Sequence, residues 1–325
     1  MPRVSRVRAL GVAVTLTLVA ACGSGDGDGD DAARRPGDRQ SSTTSTTEPS
    51  TTTTTEPSTT TTTAPRELPG GGREIFPGRR VVAYYGNATS PALGVLGETG
   101  PEEAAARVAV AALPFAQPDR PVLGAFELIV SVAHRSPGPD GDFSSPTDAA
   151  VILPWLAAAR AHGMLLLLDV QPGRASFVDE VKRYEGLLRE PDVGLALDAE
   201  WRMGPGEVPG EVIGQVSAAE VNEVSAWLSV LVADENLPEK LFVLHQFTAG
   251  MLPDRAAVVD RPGLATVVHV DGFGSRADKL AKYEQLHAVA PFANGLKLFF
   301  DEDIDIFTPA EVLGLVPAPD LITYQ

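Results

Sequence analysis

Met164-Leu165-Leu166-Leu167-Leu168-Asp169-Val170 is an unbroken apolar run with one aspartate close to its end. A strand with one wet face alternates apolar and polar side chains, whereas a strand covered on both faces reads as continuous Val, Leu or Phe. The run therefore predicts a buried parallel strand. Similar segments precede it at Val81–Asn87 and Ala125–Ala133. Others follow at Val193–Glu200, Leu241–Phe247, Thr266–Asp271, Gly295–Phe300 and Leu321–Tyr324.

Helix signals lie between these segments. Ser145-Pro146-Thr147-Asp148 predicts a cap residue followed by proline at the first helical position. Ser217-Ala218-Ala219-Glu220 and Thr308-Pro309-Ala310-Glu311 have the capping-box pattern. Phe177, Val181, Tyr184 and Leu188 keep helical spacing, as do Val221, Val224, Leu228 and Leu231. Strand and helix alternating in this way predict an α/β fold, a (β/α)8 TIM-type barrel over 73–325, with an open doubly wound sheet as the alternative. The sequence ends at Gln325, directly after the last predicted strand, so the final helix is expected to be lacking. Arg73–Arg80 is expected to cover the gap.

The first 72 residues read differently. Three arginines precede an apolar run from Ala9 to Ala21, as in a secretory signal, and the run is too short to span a bilayer. Val19-Ala20-Ala21-Cys22 resembles a bacterial lipoprotein lipobox, which implies cleavage after residue 21 and diacylation of Cys22, the only cysteine. Residues 22–72 are rich in Gly, Thr and Pro and have no apolar period, so a disordered tether is expected. With this stalk and its Ala/Gly/Arg-rich composition, the chain resembles an actinobacterial-type cell-envelope lipoprotein, held at the outer face of the membrane.

There are 43 acidic and 26 basic residues, a net charge of −17. The excess belongs to the predicted barrel, where 35 acidic residues face 19 basic ones from Arg73 onward. This argues against a nucleic-acid partner, which needs a basic face. No HExxH pair, Walker loop or dinucleotide glycine pattern occurs, so neither metal nor cofactor is expected. Asp301, Asp303 and Asp305 alternate like calcium ligands. Ile306 and Val312 break the EF-hand pattern, which leaves a solvated acidic loop.

Active sites of such barrels form at the C-terminal ends of the strands. Those ends supply Tyr84, Tyr85 and Asn87, then His134, then Asp169 and Gln171, then Asp198, Glu200 and Trp201. His245 and Gln246, His269 and Asp271, Asp301 and Glu302, and Tyr324 complete the rim. In Leu197-Asp198-Ala199-Glu200-Trp201 the two carboxylates, two residues apart on a strand, are expected to face the barrel mouth. Close carboxylates cannot both ionise cheaply, so one should act as a general acid. The five residues resemble the D-x-E motif that ends strand four in family 25 lysozymes and family 18 chitinases. That resemblance implies Glu200 as the general acid, Asp198 as its electrostatic partner and a polysaccharide substrate such as peptidoglycan. Tyr84, Tyr85, Asn87, Asp169, Trp201, Gln246, Asp271 and Tyr324 are the candidate substrate-binding residues. The aspartates that the chitinase pattern places at Val193 and Ala196 are absent, as is the strand-one aspartate of the lysozymes. A non-catalytic, glycan-binding or scaffolding barrel is therefore the alternative, and in either case a monomer is expected.

His245 and His269 fall on adjacent strands and read as satisfied core histidines. Glu127 and Lys297 interrupt apolar strands, and a buried charge must be paired, so one or both are expected to contact opposite charges inside the barrel. Asp271 is the alternative partner for Lys297.

Overall fold

The computed structural model describes residues 66–325. The signal segment, Cys22 and the tether up to residue 65 lie outside the described residues. Nine strands are present: β1 Arg80–Gly86, β2 Val122–Ala133, β3 Ser144–Pro146, β4 Leu165–Val170, β5 Val193–Asp198, β6 Lys240–Gln246, β7 Leu264–Val270, β8 Ala293–Leu298 and β9 Leu321–Tyr324. Eight of them pair in parallel, in the order β1-β9-β8-β7-β6-β5-β4-β2, and β2 pairs back onto β1. The sheet is thus a closed eight-stranded parallel barrel. β3 is the exception, a three-residue antiparallel addition on the end of β2. All eight segments expected from the sequence are barrel strands, because both faces of each are covered by protein.

Seven helices surround the barrel: α1 Pro101–Ala112, α2 Ala149–Ala161, α3 Phe177–Lys182, α4 Glu185–Leu188, α5 Ala218–Asp234, α6 Arg276–Leu286 and α7 Pro309–Leu313. Ser217, Ser275 and Thr308 cap α5, α6 and α7 through their hydroxyls. The expected cap of α2 is displaced. Ser145 and Pro146 belong to β3, and Asp148 caps the helix by accepting from Ala150 N at 2.7 Å. Replacing an N-cap aspartate by alanine costs about 1 kcal/mol. Asp148→Ala is therefore expected to lower the urea midpoint while leaving the slope of the transition unchanged. Between β6 and β7 no helix forms; two single 3₁₀ turns, Ala249–Met251 and Arg255–Ala257, stand in its place. Among the described residues, no helix is long and apolar enough to cross a membrane.

Strand alternation divides the core into two layers. Leu166, Leu168, Leu195 and Leu197 point outward and pack with Val181, Val224 and Leu228 of the helices. Val81, Ala83, Leu123, Leu165, Leu167, Ala196, Leu241 and Val243 fill the barrel. Leu68 and Ile75 join this inner layer, so residues 66–72, assigned by sequence to the tether, include a side chain packed in the barrel floor. Arg73–Arg80 does not cover a missing helix. Ile75 N donates to Glu239 Oε2 at 2.6 Å, and Arg73 Nη2 donates to Leu237 O at 2.7 Å, both at the entry to β6. The segment closes the N-terminal end of the barrel because its apolar side chains have the interior to fill.

Candidate active site

Moving up each strand, the inward side chains change from apolar to polar. Ala83 gives way to Tyr85, Ala125 to Glu127, Leu167 to Asp169 and Ala196 to Asp198. Val243 is followed by His245, Val267 by His269, Gly295 by Lys297 and Leu321 by Thr323. Each barrel strand thus contributes one polar group to a single level, and none of the eight is more than 4% exposed. Gly295 has a steric reason to lack a side chain, since a Cβ there would sit 2.1 Å from His269 Nδ1.

Four charges at this level balance. His245 Nε2 meets Glu127 Oε1 at 2.8 Å, and Nδ1 meets Asp271 Oδ2 at 2.9 Å. Lys297 Nζ donates to Asp271 Oδ2 at 3.3 Å and stands 3.4 Å from the centre of the Tyr85 ring. Thr323 Oγ1 donates to Glu127 Oε2 at 3.0 Å. Burial alone would raise the Glu127 carboxyl, but the charge and hydrogen bond of His245 hold it at about 2. Burial likewise opposes ionisation of Asp271, and Lys297 and His245 overcome it. His245 keeps its proton well above the usual histidine range because Glu127 and Asp271 outweigh its desolvation. Burial and the neighbouring His245 charge push His269 down to about 3, so it is the neutral ring of the pair. The two rings meet edge to face at 5.0 Å. His245 is satisfied as expected, whereas neither ring nitrogen of His269 has a hydrogen-bond partner.

Glu127, Asp169 and His245 also lie close enough to hold a metal ion. In this arrangement both ring nitrogens of His245 are taken up by carboxylates, Nε2 by Glu127 at 2.8 Å and Nδ1 by Asp271 at 2.9 Å, so the three side chains are packed as part of a buried ion-pair cluster.

Asp198 is the β5 member of this level, and Glu200 stands above it. β5 stops at Asp198, and Ala199–Trp201 turns as a 3₁₀ segment in which Asp198 Oδ1 accepts from Glu200 N at 3.3 Å. The two carboxylates therefore do not alternate along one strand, yet the turn brings both to the same cleft. Glu200 makes no side-chain hydrogen bond among the described residues, which leaves its carboxyl free to face the opening. Burial pushes the Glu200 carboxyl up to about 7, and the fixed charge of Asp271 adds to the effect. Asp198 is likewise pushed up to about 7, by burial first, with the Glu200 charge adding to it. Asp169 is raised well above the carboxylate range by burial and by the neighbouring Asp198. It accepts from Tyr85 Oη at 2.9 Å.

The cleft encloses about 420 Å³. Tyr85, Gln171, Asp198, Glu200, Asp271 and Lys297 give it a polar base, while Trp201, Phe247, Phe273 and Phe299 supply aromatic surface. Asp271 Oδ1 accepts from Gly272 N at 2.6 Å. This depends on the positive φ of +88° at Gly272, where a Cβ would also meet Phe247 Cβ at 2.9 Å.

No family model matches this chain. No curated protein matches it either. Among solved structures, two to which the chain bears a distant likeness are the following. A GH18 chitinase from Pseudoalteromonas aurantia is 10% identical with a TM-score of 0.36, covering 76% of this chain and 93% of its own. The tryptophan synthase of Mycobacterium tuberculosis is 14% identical with a TM-score of 0.32, covering 76% and 82%. These values carry no functional argument, which rests on the site itself.

Of the residues singled out by sequence, Glu200, Asp198, Tyr85, Trp201 and Asp271 line the cleft, and Asp169 lies buried next to Tyr85. Four do not reach it. Tyr84 and Tyr324 point outward and cluster with Phe300, with the Phe300 and Tyr324 rings stacked at 5.1 Å. Gln246 also points outward and accepts from Arg255 Nη1 at 2.7 Å. Asn87 spends its side chain on backbone, accepting from Thr89 N at 3.0 Å and donating to Ile129 O of β2 at 3.4 Å. Asp303 is not solvated as expected: its side chain is 1% exposed, and it pairs with Lys279 at 3.0 Å. Gln171, placed on the rim by sequence though not among the candidate binding residues, also lines the cleft, together with Lys297 and the aromatic groups at 247, 273 and 299, which sequence reasoning left out of it. For Lys297 the signal was present, as a charge in the inward phase of an apolar strand.

Proposed function

We propose that the chain is a glycoside hydrolase acting on an envelope polysaccharide, with N-acetylated polymers such as peptidoglycan favoured by the Leu197–Trp201 motif. The observation that carries this reading is the pairing of Glu200, unbonded and raised to about 7, with Asp271, held ionised in the same cleft. Glycosidic cleavage needs a carboxylic acid to protonate the leaving oxygen and a negative charge to stabilise the oxocarbenium-like centre. Glu200 gives its proton as the C–O bond breaks, and the bonding pair leaves with the oxygen. Asp271 faces the developing positive charge. Asp198 orients a neighbouring acetamido group. Water then adds to the anomeric carbon and returns a proton to Glu200. The aromatic side chains offer apolar faces against which sugar rings pack. In this reading the barrel is a monomer and needs no cofactor. It works from a lipid anchor on Cys22 through the tether.

The second reading is a glycan-binding barrel without turnover. It is favoured by the commitment of Asp198 Oδ1 to the Glu200 backbone, which leaves that carboxylate less free to act on a substrate. Incubating the protein with chitin and with purified peptidoglycan separates the two, by measuring soluble reducing ends and the protein retained on the solid. Release of reducing ends is expected. Retention without release supports the binding reading.

The pH dependence has a defined sign. Glu200 is competent as an acid only while protonated, so kcat/KM is expected to fall as pH rises through about 7. Asp271 is held ionised far below that, so no acid limb is expected near neutrality. A rate that instead climbs steadily from pH 6 to 9 contradicts Glu200 as the proton donor.

A further inference from the structure

The segment between β6 and β7, where the helix is replaced by two 3₁₀ turns, leaves the outer layer of the barrel thin. A groove of about 640 Å³ opens there, between residues 249–260 and the end of α6 with the following 288–292 segment. Its lining is largely apolar, with Leu252, Val258, Ala288, Val289 and Phe292 among the contributors. That volume lies within the range of small-molecule sites, which are apolar with a few placed polar groups.

The placed polar group here is Arg255. Its Nη1 donates to Gln246 Oε1 at 2.7 Å and to Leu286 O at 2.6 Å, which fixes the guanidinium plane. Its Nε and Nη2 make no hydrogen bond among the described residues. No carboxylate of the described residues comes within ion-pair distance of it either: Asp254 is occupied by Ala218 N at 2.8 Å, and Asp260, which also lines the groove, does not pair with it. A half-buried guanidinium without a counter-ion is costly, and an arginine edge with Nε and Nη2 free matches a carboxylate in a two-bond fork. Burial lowers the Arg255 pKa with no opposing charge to offset it, as expected for a cation lacking its anion.

We propose that this groove binds a small amphiphilic carboxylate, of the medium-chain fatty-acid class. The carboxylate accepts from Arg255 Nε and Nη2, and the alkyl chain lies along Leu252, Val258, Ala288, Val289 and Phe292. The site is separate from the carboxylate cleft and does not depend on the glycosidase reading.

Calorimetric titration of the full-length protein with decanoate is expected to show one saturable site. Decanol, equal in length but uncharged, is expected to bind at least tenfold more weakly. Arg255→Gln is expected to weaken decanoate at least tenfold. Because Arg255 also braces Gln246 and Leu286, a second variant guards against loss of fold. Val289 is 78% exposed, so Val289→Asp leaves packing intact and places a like charge beside the ligand. At least a fivefold loss of affinity is expected, with an unchanged urea midpoint. No saturable binding by the wild type, equal affinity for decanol, or undiminished affinity in both variants overturns the site.

Discussion

Glu200→Gln is expected to lower kcat on a cleavable glycan by about 10²–10⁴-fold, the range that a positioned proton donor contributes. The amide keeps the shape of the side chain and cannot supply the proton. Glu200 makes no side-chain hydrogen bond among the described residues, so the substitution breaks no hydrogen bond there, and the thermal midpoint is expected to hold or rise slightly. A slight rise is reasonable because the variant removes a carboxyl whose ionised form burial already disfavours. Binding should persist, since the aromatic side chains and the polar base of the cleft are untouched, so KM is expected to change little. The variant should therefore remain on insoluble glycan that it no longer cuts. Equal rates for wild type and variant remove Glu200 from the mechanism, and with it the enzyme reading. Asp271→Asn supplies the complementary test: it removes the fixed negative charge and should also reduce kcat. Without that charge the Glu200 pKa should fall, which shifts the alkaline limb to lower pH in any activity that remains.

The strands were legible because a barrel strand has no wet face. Met164–Leu168 and Leu241–Leu244 carry continuous apolar runs, the mark of strands covered on both faces. The capping box at Thr308 was legible for a similar reason, since both of its bonds lie within four residues; at Ser217 only the hydroxyl cap forms, because the Glu220 carboxylate bonds Phe177 N and Arg202 instead. Ser145 misled because β2 runs long enough to recruit β3 before α2 begins, and the pairing of Val132 with Ser145 is a tertiary event. At the site, the decisive variable was strand phase. Tyr85 pairs with Glu127 on the inward face, so Tyr84, paired with Phe126, must face the helices. A one-residue difference flips the face. Tyr324 and Gln246 were misplaced by the same omission, whereas Asp198, Asp271 and Lys297 keep the inward phase of their strands. The aromatic groups at 247, 273 and 299 lie beyond the last residues of β6, β7 and β8, where no periodicity constrains direction. Nor does Val193 or Ala196 carry the aspartates of the chitinase pattern. Asp169 of the preceding strand pairs in register with Ala196, a neighbour that a reading confined to one strand cannot reveal.

Lys297→Met is expected to cost about 3–5 kcal/mol of folding stability, the usual consequence of removing one partner from a buried ion pair. Methionine preserves most of the volume, so the loss is chiefly electrostatic. Lys297 and His245 are the cations facing Asp271 and Glu127, and all four side chains are buried. Removing Lys297 leaves two buried anions against one cation. Asp271 then rises toward the ordinary aspartate pKa or beyond, and the sign of the pH dependence follows. In the wild type the folded pKa of Asp271 lies below its unfolded value. Its contribution is therefore present above about pH 4 and lost as pH falls through the folded pKa. The gap between wild type and variant should be widest at neutral pH and shrink below about pH 4, where Asp271 begins to protonate in the unfolded chain. Urea unfolding followed by tryptophan fluorescence at pH 7 and at about pH 3 reads both values. The double variant Lys297→Met/Asp271→Asn removes one charge of each sign and leaves His245 paired with Glu127. It should be more stable than Lys297→Met alone, despite carrying one more substitution. If the double variant is instead the less stable by the sum of the two single losses, the four groups are not a coupled charge cluster. The barrel level would then be held by packing alone.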